Sequence, residues 1–410
     1  MPGISGKNMV NSDTQTKPLP KVVDFSNTAI AFEHKSDKEL RWTSLLFRLM
    51  NKAWLVRIGG SFGLWLHKAG INIFNPIVRA TIFKHFCGGI SLQDSTEAIS
   101  HLYASGTQTV LDYGAEGKSK EEDFDRTLEE NLKAIRYAST SEGVTVISSK
   151  ITALASEEVL EKFQIGQLSS KDDLEAFSKV QNRIDRLCQA AMQHGVAVYI
   201  DAEETWMQNT IDHLVKIMME RYNKEKIVVY HTYQLYRKDK LESLKADHKE
   251  ALEKGYILGA KLVRGAYMEK ERNRAKAKNY PSPIQETLAD TNRDYNDAIR
   301  YCVDNYETIA LCNASHNQES NMLQAELIAA KGLPPKHDHL YFCQLYGMSD
   351  NITFNLAKAG YNVAKYVPYG PVKDVLPYLI RRARENSAVT GEMSRELSLI
   401  VTEMKRREMK

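Results

Sequence analysis

The chain has 410 residues, 43% hydrophobic and 26% charged, with a formal net charge of +3. A chain of that length buries one large core or two ordinary ones. Its composition is that of a soluble globular protein, and so small a net charge gives no argument for nucleic-acid binding. The five cysteines (Cys87, Cys188, Cys302, Cys312 and Cys343) are scattered and never spaced Cys-x-x-Cys. Neither a disulfide framework nor a zinc site is indicated, and the pattern fits thiols in a reducing compartment.

Residues 1–28 are polar, with Gly, Ser, Asn and Pro, and read as a disordered N-terminus. They contain Asp13 and Asp24 and no Arg, unlike a mitochondrial presequence, and they lack the apolar core of a secretory signal. A cytoplasmic protein is expected, although a mature chain trimmed of its presequence would read the same. Residues 29–106 read as a helical region. Lys38 to Met50 and Pro76 to Phe86 carry helix-spaced apolar residues, and Ser91 is a candidate N-cap for the helix that follows Gly88-Gly89. The apolar stretch from Leu45 to Leu66 is broken by Arg48, Lys52 and Arg57, so no spanning helix is expected. Trp54, Arg57, Phe62, Trp65 and Lys68 suit packing against a neighbouring domain or contact with a membrane surface.

From residue 107 to 395 the rhythm changes to short β-branched runs alternating with amphipathic helices. The runs are Thr109–Asp112, Val144–Lys150, Val196–Asp201, Ile227–Thr232, Ile257–Arg264, Thr308–Ala314, Leu340–Gln344 and Asn362–Tyr366. Between them lie helical patterns such as Phe124–Tyr137, Lys171–His194 and Thr205–Tyr222. Strict alternation means a parallel sheet with right-handed crossovers, and eight units match a closed (βα)8 TIM-type barrel. A doubly wound open sheet is the alternative fold, disfavoured because no Gly-x-Gly-x-x-Gly follows the first strand. Residues 396–410 read as a C-terminal helical tail.

In such barrels the chemistry sits at the C-terminal ends of the strands. Those ends carry Asp112, Lys150, Asp201, Gln234, Lys261 with Arg264, Asn317, Gln344 and Tyr366. No cluster has metal-ligand spacing, since His316 stands alone on its strand, and no nucleophile elbow is present. After the last strand, a Pro-Gly turn leads to a helix with Arg381 and Arg382, and Glu385 falls between them on one face. Paired guanidinium forks suit a small carboxylate. Cations, amides and aromatics together suit a large anionic cofactor with a small anionic substrate, for which a flavin is one solution. A Schiff-base aldolase using Lys150 or Lys261 is the other.

Several motifs occur in a specific order: Phe86-Cys87-Gly88-Gly89, Leu111-Asp112-Tyr113-Gly114, Lys261-Leu262-Val263-Arg264-Gly265-Ala266-Tyr267, Ser315-His316-Asn317, Gln344-Leu345-Tyr346-Gly347-Met348, Tyr366-Val367-Pro368-Tyr369-Gly370 and Arg381-Arg382-x-x-Glu385-Asn386. Together they resemble the proline dehydrogenase family over roughly residues 80 to 390, and the chain is similar to its monofunctional members. The resemblance implies a distorted (βα)8 barrel that binds FAD and oxidises L-proline to Δ1-pyrroline-5-carboxylate. Electrons would pass to membrane quinone from a peripheral position on the inner face of a membrane, the mitochondrial inner membrane in a eukaryote. It also implies roles. Arg381, Arg382 and Lys150 would hold the proline carboxylate, and Glu385 would orient the arginines. Tyr267, Leu345 and Tyr366 would wall the ring. Gln234 would bond the flavin and Lys261 would stand beside its reactive nitrogen, with Asp201 supporting the lysine and the flavin edge. Arg264, His316 and Asn317 would meet the phosphates or ribityl chain, with Gly265, Ala266, Ser315 and Gln344 also lining the cofactor. Hydroxyproline dehydrogenase is a sister activity; the full tyrosine at Tyr366 favours proline, because it leaves no room for a 4-hydroxyl.

Overall fold

The computed structural model describes residues 22–50, 79–114, 120–388 and 392–408. Eight parallel strands close into a barrel in sequential order. They are β1 Gln108–Tyr113, β2 Val144–Lys150, β3 Ala197–Asp201, β4 Val229–Gln234, β5 Leu258–Val263, β6 Ile309–Ala314, β7 Leu340–Leu345 and β8 Asn362–Tyr369. Closure is made by β1 on β8, with Val110 opposite Tyr366.

Side chains alternate faces along each strand. Val110, Val146, Tyr199, Tyr230, Ala310, Cys312, Cys343, Ala364 and Tyr366 fill the barrel interior. Leu111, Ile147, Val198, Val229, Leu262, Leu311, Phe342 and Val363 pack outward under the helices. Continuing the inward set by twos carries it to Lys150, Asp201, Gln234, Lys261 and Leu345 at the C-terminal mouth. Alternation thus delivers most of the expected site residues to one place.

Among the described residues the helices are α1 Thr28–Ala31, α2 Asp37–Met50, α3 Lys84–Phe86, α4 Thr96–Ala104, α5 Glu121–Ala138, α6 Glu157–Gln164, α7 Lys171–His194, α8 Thr205–Tyr222, α9 Lys240–Lys254, α10 Met268–Lys278, α11 Leu288–Asp304, α12 Gln318–Ala330, α13 Asp350–Lys358, α14 Val372–Ala388 and α15 Glu392–Arg406. A second apolar cluster joins Phe32, Leu40 and Phe47 to Phe86, Met348, Val375, Leu379 and Ile400. It lies where β7 and β8 end, so α2, α14 and α15 pack together beside the mouth.

Three expectations are corrected here. The N-terminal segment is not disordered through residue 28: Val23 and Phe25 are buried in the main core, and Asn351 donates to the Phe25 carbonyl. Apolar side chains at those two positions supply the anchor. Ser91 does not cap α4. Its Oγ accepts the Asp94 N–H in a preceding turn, and Ser95 stands at the cap position. The C-terminal segment is no tail: Ile400 and Glu403 of α15 are buried, Glu403 because Arg406 and Arg407 neutralise it. All five cysteines are buried and free. No described helix is long and apolar enough to cross a membrane. Trp54, Arg57, Phe62, Trp65 and Lys68 lie outside the described residues.

Candidate active site

Asp201 is the hub of the mouth. Its carboxylate accepts from the Lys261 ammonium and from Tyr366 Oη at 2.8 Å, and from Ser148 Oγ at 3.0 Å; Lys150 Nζ stands 3.6 Å away. Burial alone would push this carboxyl up, but Lys261 and Lys150 outweigh it and hold Asp201 at about 2. The Lys261 ammonium also lies over two rings, 5.3 Å from the centroid of Tyr199 and 5.0 Å from that of Tyr366. A Schiff-base lysine has to be a neutral, nucleophilic amine. Both lysines instead bridge to one carboxylate, which counts against the aldolase reading.

The other side of the mouth comes from β5 and α14. Tyr267 is buried, and the Arg381 guanidinium lies 5.9 Å from its ring centroid. Burial raises the Tyr267 hydroxyl well above its usual pKa; among charges, Arg381 and Lys150 pull it down and Glu203 pushes it up. Arg382 lies 5.6 Å from the ring of Tyr378, one helical turn earlier. The Glu385 side chain is not among those the structure describes.

A cationic fork sits on the rim. Arg264 donates to Asn292 Oδ1 at 2.9 Å, Ser315 Oγ at 2.7 Å and Ser320 Oγ at 3.0 Å, and stacks 4.3 Å over Tyr295. Ser315 Oγ also accepts the Asn317 N–H, and Asn317 Oδ1 caps α12 through the Ser320 N–H. His316 Nδ1 is 2.9 Å from Ser349 Oγ. Burial, then Lys365 and nearby arginines, lowers the His316 pKa to about 3, so its ring is neutral. Gly265 has φ 131°, a region open to glycine, and a Cβ there would strike the Tyr236 ring at 2.4 Å. Gly265 and Ala266 are exposed at the opening.

Gln234 carries the clearest sign of a missing partner. Its Nε2 donates to the Glu203 carbonyl at 3.0 Å, while its Oε1 is buried with no hydrogen-bond partner in the protein. Other buried acceptors such as Gln108 Oε1 and Gln324 Oε1 are likewise open, but this one lies at the mouth, where a bound donor could meet it. Among the described residues no group of His, Cys, Asp or Glu could hold a metal.

The sequence profile described as Proline dehydrogenase matches residues 95–395. The chain belongs to the proline dehydrogenase family. That places it among oxidoreductases acting on proline. "Proline dehydrogenase 1, mitochondrial" of Dictyostelium discoideum is 31% identical over 93% of this chain and 74% of that protein. "Hydroxyproline dehydrogenase" of Xenopus laevis is 30% identical over 94% of this chain and 90% of that protein. Among solved structures, proline utilization A (PutA) from Bdellovibrio bacteriovorus, inactivated by N-propargylglycine, superposes with a TM-score of 0.69 at 20% identity. That match covers 89% of this chain but only 38% of the PutA chain, so the barrel corresponds to one part of a longer protein.

Of the family positions named from sequence, Lys150, Lys261 and Tyr366 all meet Asp201, with Gln234, Tyr267, Leu345 and Arg381 around the same mouth. Gln344 is a correction. It faces outward, 1% exposed, with Nε2 donating to Ser315 O and Asn321 Oδ1 and Oε1 accepting from Thr353. Strand alternation puts it in the helix layer, so it braces β6 and β7 and has no polar atom to offer a cofactor. Three residues given no role from the sequence stand beside these. Ser148 is two residues before Lys150 and therefore shares its face. Tyr378 lies four before Arg382. Glu203 follows Asp201, and burial pushes its carboxyl up to about 7 against the pull of Thr152 and Lys150.

Proposed function

We propose that this chain oxidises L-proline to Δ1-pyrroline-5-carboxylate with bound FAD, the first step of proline degradation to glutamate, and passes the electrons to a membrane quinone. The observation that carries this reading is the Lys150–Asp201–Lys261–Tyr366 cluster inside the mouth, with Arg381 against Tyr267 beside it, in a barrel of this family.

The residues present fit the cofactor. The buried Gln234 Oε1 would accept from a flavin ring N–H. Arg264, its fork fixed by Asn292, Ser315 and Ser320, would meet phosphate oxygens with little ordering cost. When bound, FAD would supply the two-electron chemistry, taking hydride from C5 of proline at flavin N5. The chain's own work is positioning. Arg381, Arg382 and Lys150 bind the carboxylate, and Tyr267, Leu345 and Tyr366 enclose the ring and exclude water. C5 can release hydride only if the adjacent amine is uncharged. The cations gathered at the mouth disfavour an ammonium by like-charge repulsion, so they favour the reactive form. Asp201 keeps Lys150 and Lys261 in register under the substrate.

A hydroxyproline substrate is the second reading, favoured by the Xenopus relative's coverage. Against it stands Tyr366, 7% exposed, its hydroxyl committed to Asp201. A peripheral position on a bilayer suits a quinone acceptor, and the Dictyostelium relative is named as mitochondrial. The test is a visible spectrum of purified protein. Flavin absorbance that bleaches on adding L-proline, and much more slowly with trans-4-hydroxy-L-proline, is expected. Absence of flavin together with a borohydride-trapped lysine adduct would establish the aldolase instead.

A further inference from the structure

The last helix grips the mouth through two consecutive residues. Arg395 donates from Nη2 to the His316 carbonyl at 3.1 Å. Glu396, 6% exposed, accepts the backbone N–H of Ser349. Ser349 stands at φ 52° directly before α13. That is a left-handed conformation which a residue with a Cβ rarely adopts without support. It also gives up the usual N-cap bond: its side chain makes no cap to α13 and turns to His316 Nδ1 instead. Two local preferences are overridden at one residue, and Glu396 is the group that holds it there.

The consequence falls on His316. A neutral imidazole carries one N–H, and whatever its bonded nitrogen does decides which one. If the Ser349 hydroxyl donates to Nδ1, the proton resides on Nε2. Among the described residues Nε2 makes no hydrogen bond, and it is not among the sealed-off buried atoms. We propose that Glu396 and Ser349 are positioning residues which fix His316 as its Nε2–H form and aim that donor at the anionic part of the cofactor. The proposal rests on the FAD reading above. A helix beyond the barrel would thus set a cofactor donor through a serine held in the left-handed conformation.

The test uses purified holoenzyme and follows FAD release after dilution, with thermal melting as a control for folding. Ser349→Ala and Glu396→Ala are each expected to release FAD about tenfold faster. Glu396→Gln keeps an oxygen facing the Ser349 N–H and should restore the wild-type rate. His316→Ala combined with Glu396→Ala should release no faster than His316→Ala alone, since both act through one ring. Nitrogen-15 histidine spectra should assign the His316 proton to Nε2 in the wild type and lose that preference in Ser349→Ala. Unchanged release from Ser349→Ala, additive effects with His316→Ala, or an Nδ1–H ring in the wild type would each overturn the proposal. Should Glu396→Ala not fold, Ser349→Ala and the spectra carry the test. A wild type that holds no flavin would instead refute the function on which this rests.

Discussion

At the scale of single residues, the mouth is a balance of one carboxylate against several cations, and each variant tips it in a definite direction. With the arginine pair holding the substrate carboxylate as proposed, Arg381→Met or Arg382→Met would leave that carboxylate short of a partner. Such a loss costs about 3–5 kcal/mol, so kcat/KM for proline should fall ~10²–10³-fold or more, with flavin content unchanged. Steady-state kinetics with the purified variants check it; near-wild-type values would return the arginine pair to ordinary surface charge. Asp201→Asn removes the anion between Lys150 and Lys261. Because Asp201 is held at about 2, below the ordinary 3.8, its stabilisation is fully present above the unfolded value and is lost as pH falls through 2. The variant should therefore be less stable than wild type by about 2–3 kcal/mol at pH 7, with that deficit vanishing toward pH 2. Urea unfolding across that range measures it. Tyr366→Ser loses both the ring proposed to pack on substrate and the bond to Asp201, so KM for proline should rise. The freed space should narrow the preference over trans-4-hydroxy-L-proline, by about tenfold if packing alone sets it. Kinetics with both substrates decide between the two activities.

At the scale of elements, the strands were the most legible part. Seven of the eight β-branched runs start within a residue of a strand, and Val144–Lys150 coincides with β2. The period of two along those strands is what brings Lys150, Asp201, Lys261 and Tyr366 together, although only their place at the strand ends was used to pick them from sequence. Gln344 was misread for the same reason inverted: a motif position was followed where the period of two pointed outward. The docking of α15 was not legible at all. Glu396 and Glu403 look like solvated charges in sequence; in the fold Ser349, distant in the chain, satisfies the first, and Arg406 and Arg407, one turn on, satisfy the second. The N-terminal end of the barrel gives a contrasting test. Asn223 Oδ1 accepts the N–H groups of Val228 and Val229, and Nδ2 donates to the carbonyls of Val229 and Ile257. One fully buried side chain thus ties the end of α8 to the starts of β4 and β5. Asn223→Ala leaves those groups unpaired and should cost about 3–5 kcal/mol of unfolding free energy. Since the N-terminal face of such a barrel serves stability and the opposite face carries chemistry, KM for proline at low temperature should stay as in wild type. A shift in KM matching the loss of stability would show that the two ends are not independent.

At the scale of the whole molecule, the question is how electrons leave. On the proposed function, a reduced cofactor at the mouth would have to meet an acceptor, and a quinone dissolved in lipid would be reached only at a bilayer surface. The outer face of α2 has the composition for that contact. Trp42, Leu45 and Leu49 are 43%, 48% and 45% exposed, spaced along one face of the helix, and Lys38, Arg41 and Arg48 are exposed around them. The opposite face, with Leu40, Leu46 and Phe47, is buried in the cluster shared with α14 and α15, the helices bearing Arg381, Arg382 and Glu396. A surface held by α2 would therefore lie close to the mouth rather than behind the barrel. Apolar side chains with a basic rim are what an interfacial helix uses on anionic lipid. Burying the exposed parts of three such side chains contributes about 1 kcal/mol each, so Trp42→Ser/Leu45→Ser/Leu49→Ser should weaken binding to anionic vesicles ~10²-fold. Proline oxidation with a soluble dye acceptor should be unchanged, because none of the three lies at the mouth, while reduction of vesicle-borne quinone should drop in step with binding. Co-sedimentation and the two assays separate the cases. Equal sedimentation of wild type and variant would remove α2 as the contact, and slower dye reduction would mean that the face supports the mouth itself.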